Sequence, residues 1–96
     1  MPDLEWLTLA LDDLLGIIDY ISDDNPNAAQ RVKDDIEAKV ENLKSFPKMG
    51  RPGQIEGTRE LVTLRNYIVV YQECSVVIKI LRVLHAHQQW PPLSVN

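Results

Sequence analysis

Residues 76–85, VVIKILRVLH, form the most hydrophobic stretch of this sequence and constrain how the rest of it folds. Its β-branched residues favour a strand, and successive side chains of a strand point to opposite faces. Because apolar residues occupy both faces for most of the stretch, we predict a central or doubly covered strand. The strand contains Lys79 and Arg82 and ends at His85, just before His87 and Trp90.

Two further strands are predicted immediately before this stretch. TRELVTLR at 58–65 places Arg59, Leu61 and Thr63 on one face, and YIVVYQ at 67–72 is β-branched and aromatic. Arg65-Asn66 is predicted to form the first turn because Asn tolerates positive φ, and ECS at 73–75 is predicted to form the second. The three strands should therefore form an antiparallel meander.

Two amphipathic helices are predicted in the first half of the chain. Asn25-Pro26 separates them, because proline suits the first turn of a new helix. Each helix has apolar residues at helical spacing, which are Leu11, Leu14, Ile18 and Ile21 in the first and Ala29, Val32, Ile36, Val40 and Leu43 in the second. The short break predicts an antiparallel helical hairpin.

The predicted fold is α+β, with the order β-α-α-β-β-β. PDLEWLT at 2–8 alternates with a period of two and supplies the first strand, and KMGRPGQIEG at 48–57 is predicted to be a loop. The helical hairpin should back one face of an antiparallel sheet. Residues 1–96 then form a single domain.

Charge is divided unevenly along the 96 residues. Residues 1–47 hold 11 acids and 4 bases, a balance of −7, and residues 48–96 hold 3 acids and 6 bases, a balance of +3. The second half could meet a phosphate backbone or an acidic protein, or the two halves could neutralise each other.

The location predicted for the chain is the cytoplasm. No apolar run is long enough to cross a bilayer, and the acidic N-terminal residues do not fit a secretion signal. Cys74 is the only cysteine, so no internal disulfide can form, and a buried free thiol in a reducing compartment is expected.

Motifs for phosphate loops, nucleophile elbows and zinc proteases are missing from the sequence. His85 and His87 could lie on one side of a strand, but a zinc site needs a third ligand, and no cysteine or carboxylate lies beside them. We therefore expect no metal site and no cofactor.

A cationic group on the C-terminal strands is the remaining candidate site, with Arg59, Arg65, Lys79, Arg82, His85 and His87. RNA cleavage by its own 2′-hydroxyl needs a base, a cation that stabilises the phosphorane, and an acid. Histidine and arginine supply these parts. Alternatively, Arg82 pairs with Glu5, Glu60 or an acid of the first helix, and Tyr67 is a core aromatic residue.

The sequence resembles the RelE/ParE superfamily of toxins from bacterial type II toxin–antitoxin systems, of the RelE/StbE or plasmid-stabilisation type. The resemblance runs from Trp6 to Pro91 and is carried by these segments in order: WLTLA at 6–10, DL at 13–14, IDYI at 18–21, NPNAA at 25–29, FPKMGRPG at 46–53, GTREL at 57–61, YIVVY at 67–71, ILRVLH at 80–85 and QWP at 89–91.

The resemblance implies an antitoxin partner whose C-terminal segment folds onto the toxin, in a complex that could form a higher oligomer. RelE-like members cut mRNA on the ribosome, whereas ParE-like members poison DNA gyrase without chemistry of their own. For mRNA cleavage, the resemblance implies that Arg59 and Arg82 stabilise the transition state and that His85 or His87 acts as the acid or base. Substrate or partner contacts are expected from Arg51, Arg65, Tyr67, Lys79 and Trp90.

The residues leave the target open. Many RelE-type ribonucleases are strongly basic and carry an arginine where this chain has Ile68. We favour ribosome-dependent mRNA cleavage as a hypothesis. The alternatives are a gyrase inhibitor, in which these residues only make contacts, and an inactive relative bound by an antitoxin.

Overall fold

A computed structural model describes residues 1–88 and 90–91. Its elements are β1 (Asp3–Trp6), α1 (Thr8–Ser22), α2 (Pro26–Asn42), β2 (Arg51–Pro52), β3 (Arg59–Val62), a 3₁₀ turn (Leu64–Asn66), β4 (Tyr67–Glu73) and β5 (Val77–His85). The strands form one sheet in the order β1-β5-β4-β3-β2. The predicted α+β fold, with a helical hairpin against a sheet, is confirmed. The predicted path of residues 92–96 lies outside the described residues.

The sheet is mixed, which corrects the prediction of a wholly antiparallel one. β3, β4 and β5 form the expected antiparallel meander, but β1 pairs with β5 in parallel, with Asp3 opposite Val77 and Trp6 opposite Ile80. The predicted loop at 48–57 contains β2, which pairs with the beginning of β3. β5 therefore has a neighbour on each side, as its apolar sequence predicts.

The two helices pack their apolar residues against one face of the sheet. All five core positions predicted for the second helix are buried, with Leu43 directly after the end of α2, and Asn25 caps this helix by accepting a hydrogen bond from the Ala28 N–H at 3.0 Å. In α1 the buried residues are Ala10, Leu14 and Ile21, whereas Leu11 remains exposed. Gly16 lies inside α1 and lowers its stability by about 1 kcal/mol relative to alanine.

β3 ends earlier than predicted because its last residues turn away. The N–H of Leu64 donates to Asp35 Oδ2 on α2 at 2.9 Å instead of joining the sheet ladder. Arg65 and Asn66 then adopt positive φ angles of 59° and 63°. These are the angles of the tight turn predicted at this dipeptide.

A β-bulge on β5 decides which side chains face the helices. Val70 pairs with Arg82 but Tyr71 pairs with Ile80, so Leu81 is one extra residue. Ile78 and Ile80 therefore face the helices before the bulge, and Val83 faces them after it. Arg82 points to the opposite face of the sheet, which we call the second face.

No helix among residues 1–88 is both long and apolar enough to span a bilayer. Cys74, predicted to be buried, is partly exposed because it lies in the turn between β4 and β5.

Candidate functional site

The second face carries a row of side chains across four strands. Arg51 lies opposite Glu60, Glu60 opposite Val70, and Val70 opposite Arg82. Cross-strand partners share a face of the sheet, so two predicted site residues, Arg51 and Arg82, lie at the two ends of this row.

Glu60 is a buried carboxylate within this row, and it is only 6% exposed. Arg51 donates to Glu60 Oε1 from Nε at 3.2 Å and from Nη2 at 3.1 Å, and the Gln54 N–H donates to Oε2 at 3.3 Å. A buried charge needs such partners. The cation of Arg51 is therefore paired within the chain.

Arg82 is paired just as closely, with Asp13 of α1. Its Nε donates to Asp13 Oδ2 at 2.7 Å and its Nη2 to Oδ1 at 3.0 Å. The same Oδ2 accepts the Val83 N–H at 3.0 Å, at the edge of β5 beyond the end of β1. Hydrogen bonding to Asp13 raises the pKa of Arg82 further. This outcome matches the structural alternative in which Arg82 pairs with an acid of the first helix.

Trp90 completes the second face. The Arg82 guanidinium carbon lies 5.5 Å from the centroid of the Trp90 ring, within cation–π range. Trp90 also lines a cavity of about 100 Å³, together with Ile68, Val70 and Leu84 of the sheet. Its indole Nε1 is buried and has no hydrogen-bond partner within the described part of the chain.

Arg59 lies on the other face of β3, away from Arg82. It pairs with the buried Tyr71, and its Nη1 donates to the Gly50 carbonyl at 2.7 Å. Tyr71 fixes the same segment, because its hydroxyl donates to the Pro47 carbonyl at 2.8 Å and accepts the Gly50 N–H at 2.9 Å. Arg59 therefore holds a loop, and the structure does not bring it together with Arg82.

The two histidines lie at the exit of β5, next to Tyr67. The His85 ring packs edge-on to Tyr67 at 5.2 Å between centroids and stacks on His87 at 5.0 Å. The His87 N–H donates to His85 Nδ1 at 3.2 Å, so a neutral His85 carries its proton on Nε2. Burial and the nearby Tyr20 raise the pKa of Tyr67.

His85 and Tyr67 form one wall of a cleft of about 380 Å³, and α1 forms the other. We call it the Gly16 cleft; its lining residues are Asp12, Asp13, Gly16, Ile17, Tyr20, Tyr67, Val83, His85 and Gln88. No local pattern in the sequence indicates this cleft, because α1 and β5 are far apart in the chain.

Lys79 and Arg65 lie apart from the Arg82–Asp13 ion pair and from the two histidines at the exit of β5. Lys79 is on the second face, opposite Glu5 of β1 and Gln72 of β4. Arg65 lies in the turn before β4 and lines a depression with Asp23 and Asp24. The predicted cationic group is thus divided among several places on the surface.

The sequence does not determine the partners of Asp13 and Glu60: it allows Glu60 or an acid of the first helix to pair with Arg82, and the structure pairs Arg82 with Asp13 and Arg51 with Glu60. Each is an acid among several near an apolar segment, and only the tertiary pairing distinguishes them. Within residues 1–88 and 90–91, no group of three His, Cys, Asp or Glu side chains could hold a metal ion.

Residues 4–90 match a family model described as the ParE toxin of type II toxin–antitoxin system, parDE. The chain is 43% identical over 88 residues to the candidate toxin Y4kP of Sinorhizobium fredii, with 92% of each chain covered. It is 34% identical over 86 residues to toxin RelE2 of Caulobacter vibrioides, covering 90% of this chain and 97% of the relative.

The fold is also similar to a solved structure. A chain of the chromosomal ParDE toxin–antitoxin system from P. aeruginosa superposes with a TM-score of 0.80 at 27% identity. The match covers 91% of this chain and 98% of the other.

Proposed function

The chain belongs to the RelE/ParE superfamily of type II toxin–antitoxin toxins, and from this premise we propose that it arrests growth by binding DNA gyrase without catalysis of its own. The family confirms the resemblance drawn from the sequence and implies an antitoxin partner. The action we propose takes place in the cytoplasm, on a protein surface and not on RNA.

The observation that supports this choice is that the predicted catalytic arginines are already hydrogen-bonded within the chain. Cleavage of a phosphodiester needs a cation free to stabilise the developing negative charge. Arg82 is held by two hydrogen bonds to Asp13, and Arg59 donates to the Gly50 carbonyl on the opposite face. Recruiting either arginine for phosphate would mean breaking contacts that hold the fold.

The histidines do not supply the missing arrangement. His85 faces the helix side of the sheet with Tyr67 at one end of β4, Arg82 faces the second face, and Arg59 lies opposite Tyr71 near the other end of β4. A base and a cation must converge on one reacting group to act together. The predicted acid, base and cation are therefore better explained as separate packing and contact residues.

Ribosome-dependent mRNA cleavage remains the second candidate. It is favoured by the stacked histidine pair at the end of β5, because histidine is the side chain that most often serves as a general acid or base. In this reading His85 or His87 acts as acid or base, with Arg82 as the cation once Asp13 releases it. The ribosome and mRNA would then replace gyrase as the target.

The test is controlled expression of the chain without antitoxin while methionine and thymidine incorporation are followed in one culture. We expect DNA synthesis to stop first, and purified chain to inhibit supercoiling by gyrase. Arrest of translation first, with cleaved messages on ribosomes, would support the ribonuclease. Absence of growth arrest would identify an inactive relative.

A variant pair sharpens the result. His85→Ala with His87→Ala removes both candidate proton-transfer groups, and Lys33→Ala changes an exposed α2 residue in an i,i+4 pair as the matched control. Gyrase inhibition predicts that the unsubstituted chain and both variants leave ribosome-bound mRNA intact. Cleavage of ribosome-bound mRNA by the unsubstituted chain that is lost only in the double-histidine variant, with its melting temperature preserved, would contradict the proposal.

A further inference from the structure

Gly16 is a residue that the fold does not require. It lies in the middle of α1, where glycine weakens a helix. Within the described residues, a Cβ added to Gly16 would meet no atom within 4 Å outside its own stretch of helix, and Gly16 is not among the glycines with positive φ. Neither the backbone conformation nor the packing among residues 1–88 and 90–91 explains the missing side chain.

The missing side chain opens the Gly16 cleft. Asp12, Gly16 and Tyr20 follow each other at intervals of four residues, so they form one stripe along α1. Tyr67 and His85 lie across the cleft from this stripe. Any larger residue at position 16 would extend from the centre of the stripe into this space.

The lining of the cleft suits a cation. Tyr20 is 77% exposed, and it lines the cleft together with Tyr67 and His85. Asp12 is exposed and takes part in none of the ion pairs found within the described residues. The second carboxylate, Asp13, is already neutralised by Arg82. Aromatic faces beside a carboxylate are the usual surroundings of a bound cationic side chain.

The charge distribution of the chain also favours a cation in the Gly16 cleft. α1 and α2 lie in the half of the chain whose balance is −7, so the field near the cleft attracts a basic segment. Arginine fits better than lysine, because its planar guanidinium stacks on aromatic rings and donates to a carboxylate at the same time.

We propose that the Gly16 cleft receives an arginine side chain of the antitoxin, held by Asp12 and by the rings of Tyr20, Tyr67 and His85. The partner is the one that membership of the toxin–antitoxin family supplies. The inference therefore rests on that membership and not on the choice between gyrase and mRNA.

The first test compares Gly16→Leu with Gly16→Ala in direct titrations against the antitoxin encoded beside the chain. Both substitutions favour the helix, so both variants should melt at or above the wild-type temperature. We expect Gly16→Ala to stay within about threefold of wild-type affinity, and Gly16→Leu, which fills the cleft, to lose at least about tenfold.

Unchanged antitoxin affinity in Gly16→Leu would overturn the proposal. If that variant binds the antitoxin normally but no longer arrests growth, the occupant is the cellular target, and the proposal is again wrong. Neither result bears on which macromolecule the toxin attacks, because binding to the antitoxin is measured without it.

The second test identifies the arginine. Each arginine of the antitoxin is replaced by alanine, alone and together with Asp12→Asn in the toxin, and affinities are compared as double-mutant cycles. We expect one arginine to couple with Asp12 by about threefold or more, while the other arginines give independent effects. A set of cycles in which no arginine couples with Asp12 would overturn the cationic occupant.

Discussion

Arg82 of β5 and Asp13 of α1 form an ion pair with two hydrogen bonds, and Asp13 also accepts the Val83 N–H where β1 no longer covers the edge of β5. The carboxylate thus joins the first helix to the sheet at the point where the strand ladder is incomplete. With side-chain exposures of 23% and 17%, both partners are largely removed from water.

Asp13→Ala should lower the free energy of unfolding by about 2–4 kcal/mol, because it leaves a half-buried guanidinium and the Val83 N–H without their acceptor. Urea denaturation measures this change. Asp12→Ala, one residue away on the same helix and exposed, serves as the control and should change stability by less than about 0.5 kcal/mol. Equal effects of the two substitutions would contradict the role given to Asp13.

Tyr71→Phe should destabilise the chain although the aromatic ring is retained. The phenol hydroxyl both donates to the Pro47 carbonyl and accepts the Gly50 N–H, and the side chain is fully buried. Removing one partner of a buried hydrogen bond lowers the free energy of unfolding by about 1–3 kcal/mol. Tyr20→Phe, at an exposed position, is the matched control and should be close to neutral in the same denaturation experiment.

Stability should fall in alkali above about pH 10. Burial raises the pKa of Tyr71 and of Tyr67 above the ordinary value of 10.0. An unfolded tyrosine loses its proton near that value while the folded one keeps it, so the unfolded state binds fewer protons and the folded state loses stability as pH rises.

The measurement for this pH dependence is the free energy of unfolding between pH 8 and pH 11. Tyr71→Phe should flatten the decline, because phenylalanine has no proton to lose. A decline of the same slope in Tyr71→Phe together with Tyr67→Phe would show that other groups cause it.

Replacing Arg65-Asn66 with Asn-Gly should stabilise the chain by about 1 kcal/mol. Both Arg65 and Asn66 adopt positive φ, which is unfavourable for arginine. Asn-Gly adopts these angles readily, so the replacement relieves the backbone strain. Thermal unfolding measures the change, and Arg65→Ala is the control because it removes the side chain without relieving the backbone. A stabilisation as large in Arg65→Ala would mean that the side chain and not the turn is responsible.

The helices and the antiparallel meander were predictable because local patterns determine them. The spacing of Ala29, Val32 and Ile36 directly indicates a buried helix face, and Asn25-Pro26 marks its beginning. The parallel pairing of β1 with β5 leaves no such local signal, because it depends on two segments more than 70 positions apart.

The face of the sheet on which Arg82 lies was harder to predict, because Leu81 is one extra residue in β5. Strict alternation along β5 places Arg82 on the same face as Ile78 and Ile80, whereas the extra Leu81 moves it to the opposite face. A bulge is stabilised by tertiary contacts such as that between the Val83 N–H and Asp13. Alternation in the sequence therefore could not separate Arg82 from the helix-facing residues.

The parallel pairing of the first strand with the last also has a consequence for biosynthesis. β1 cannot pair in the sheet until Val77, the partner of Asp3, has been synthesised. At about 5–20 residues per second, translation of the intervening segment takes roughly 4–15 s. During that interval the nascent helical hairpin has no completed sheet to cover its apolar side, so its apolar residues stay accessible to chaperones and proteases until synthesis of β5.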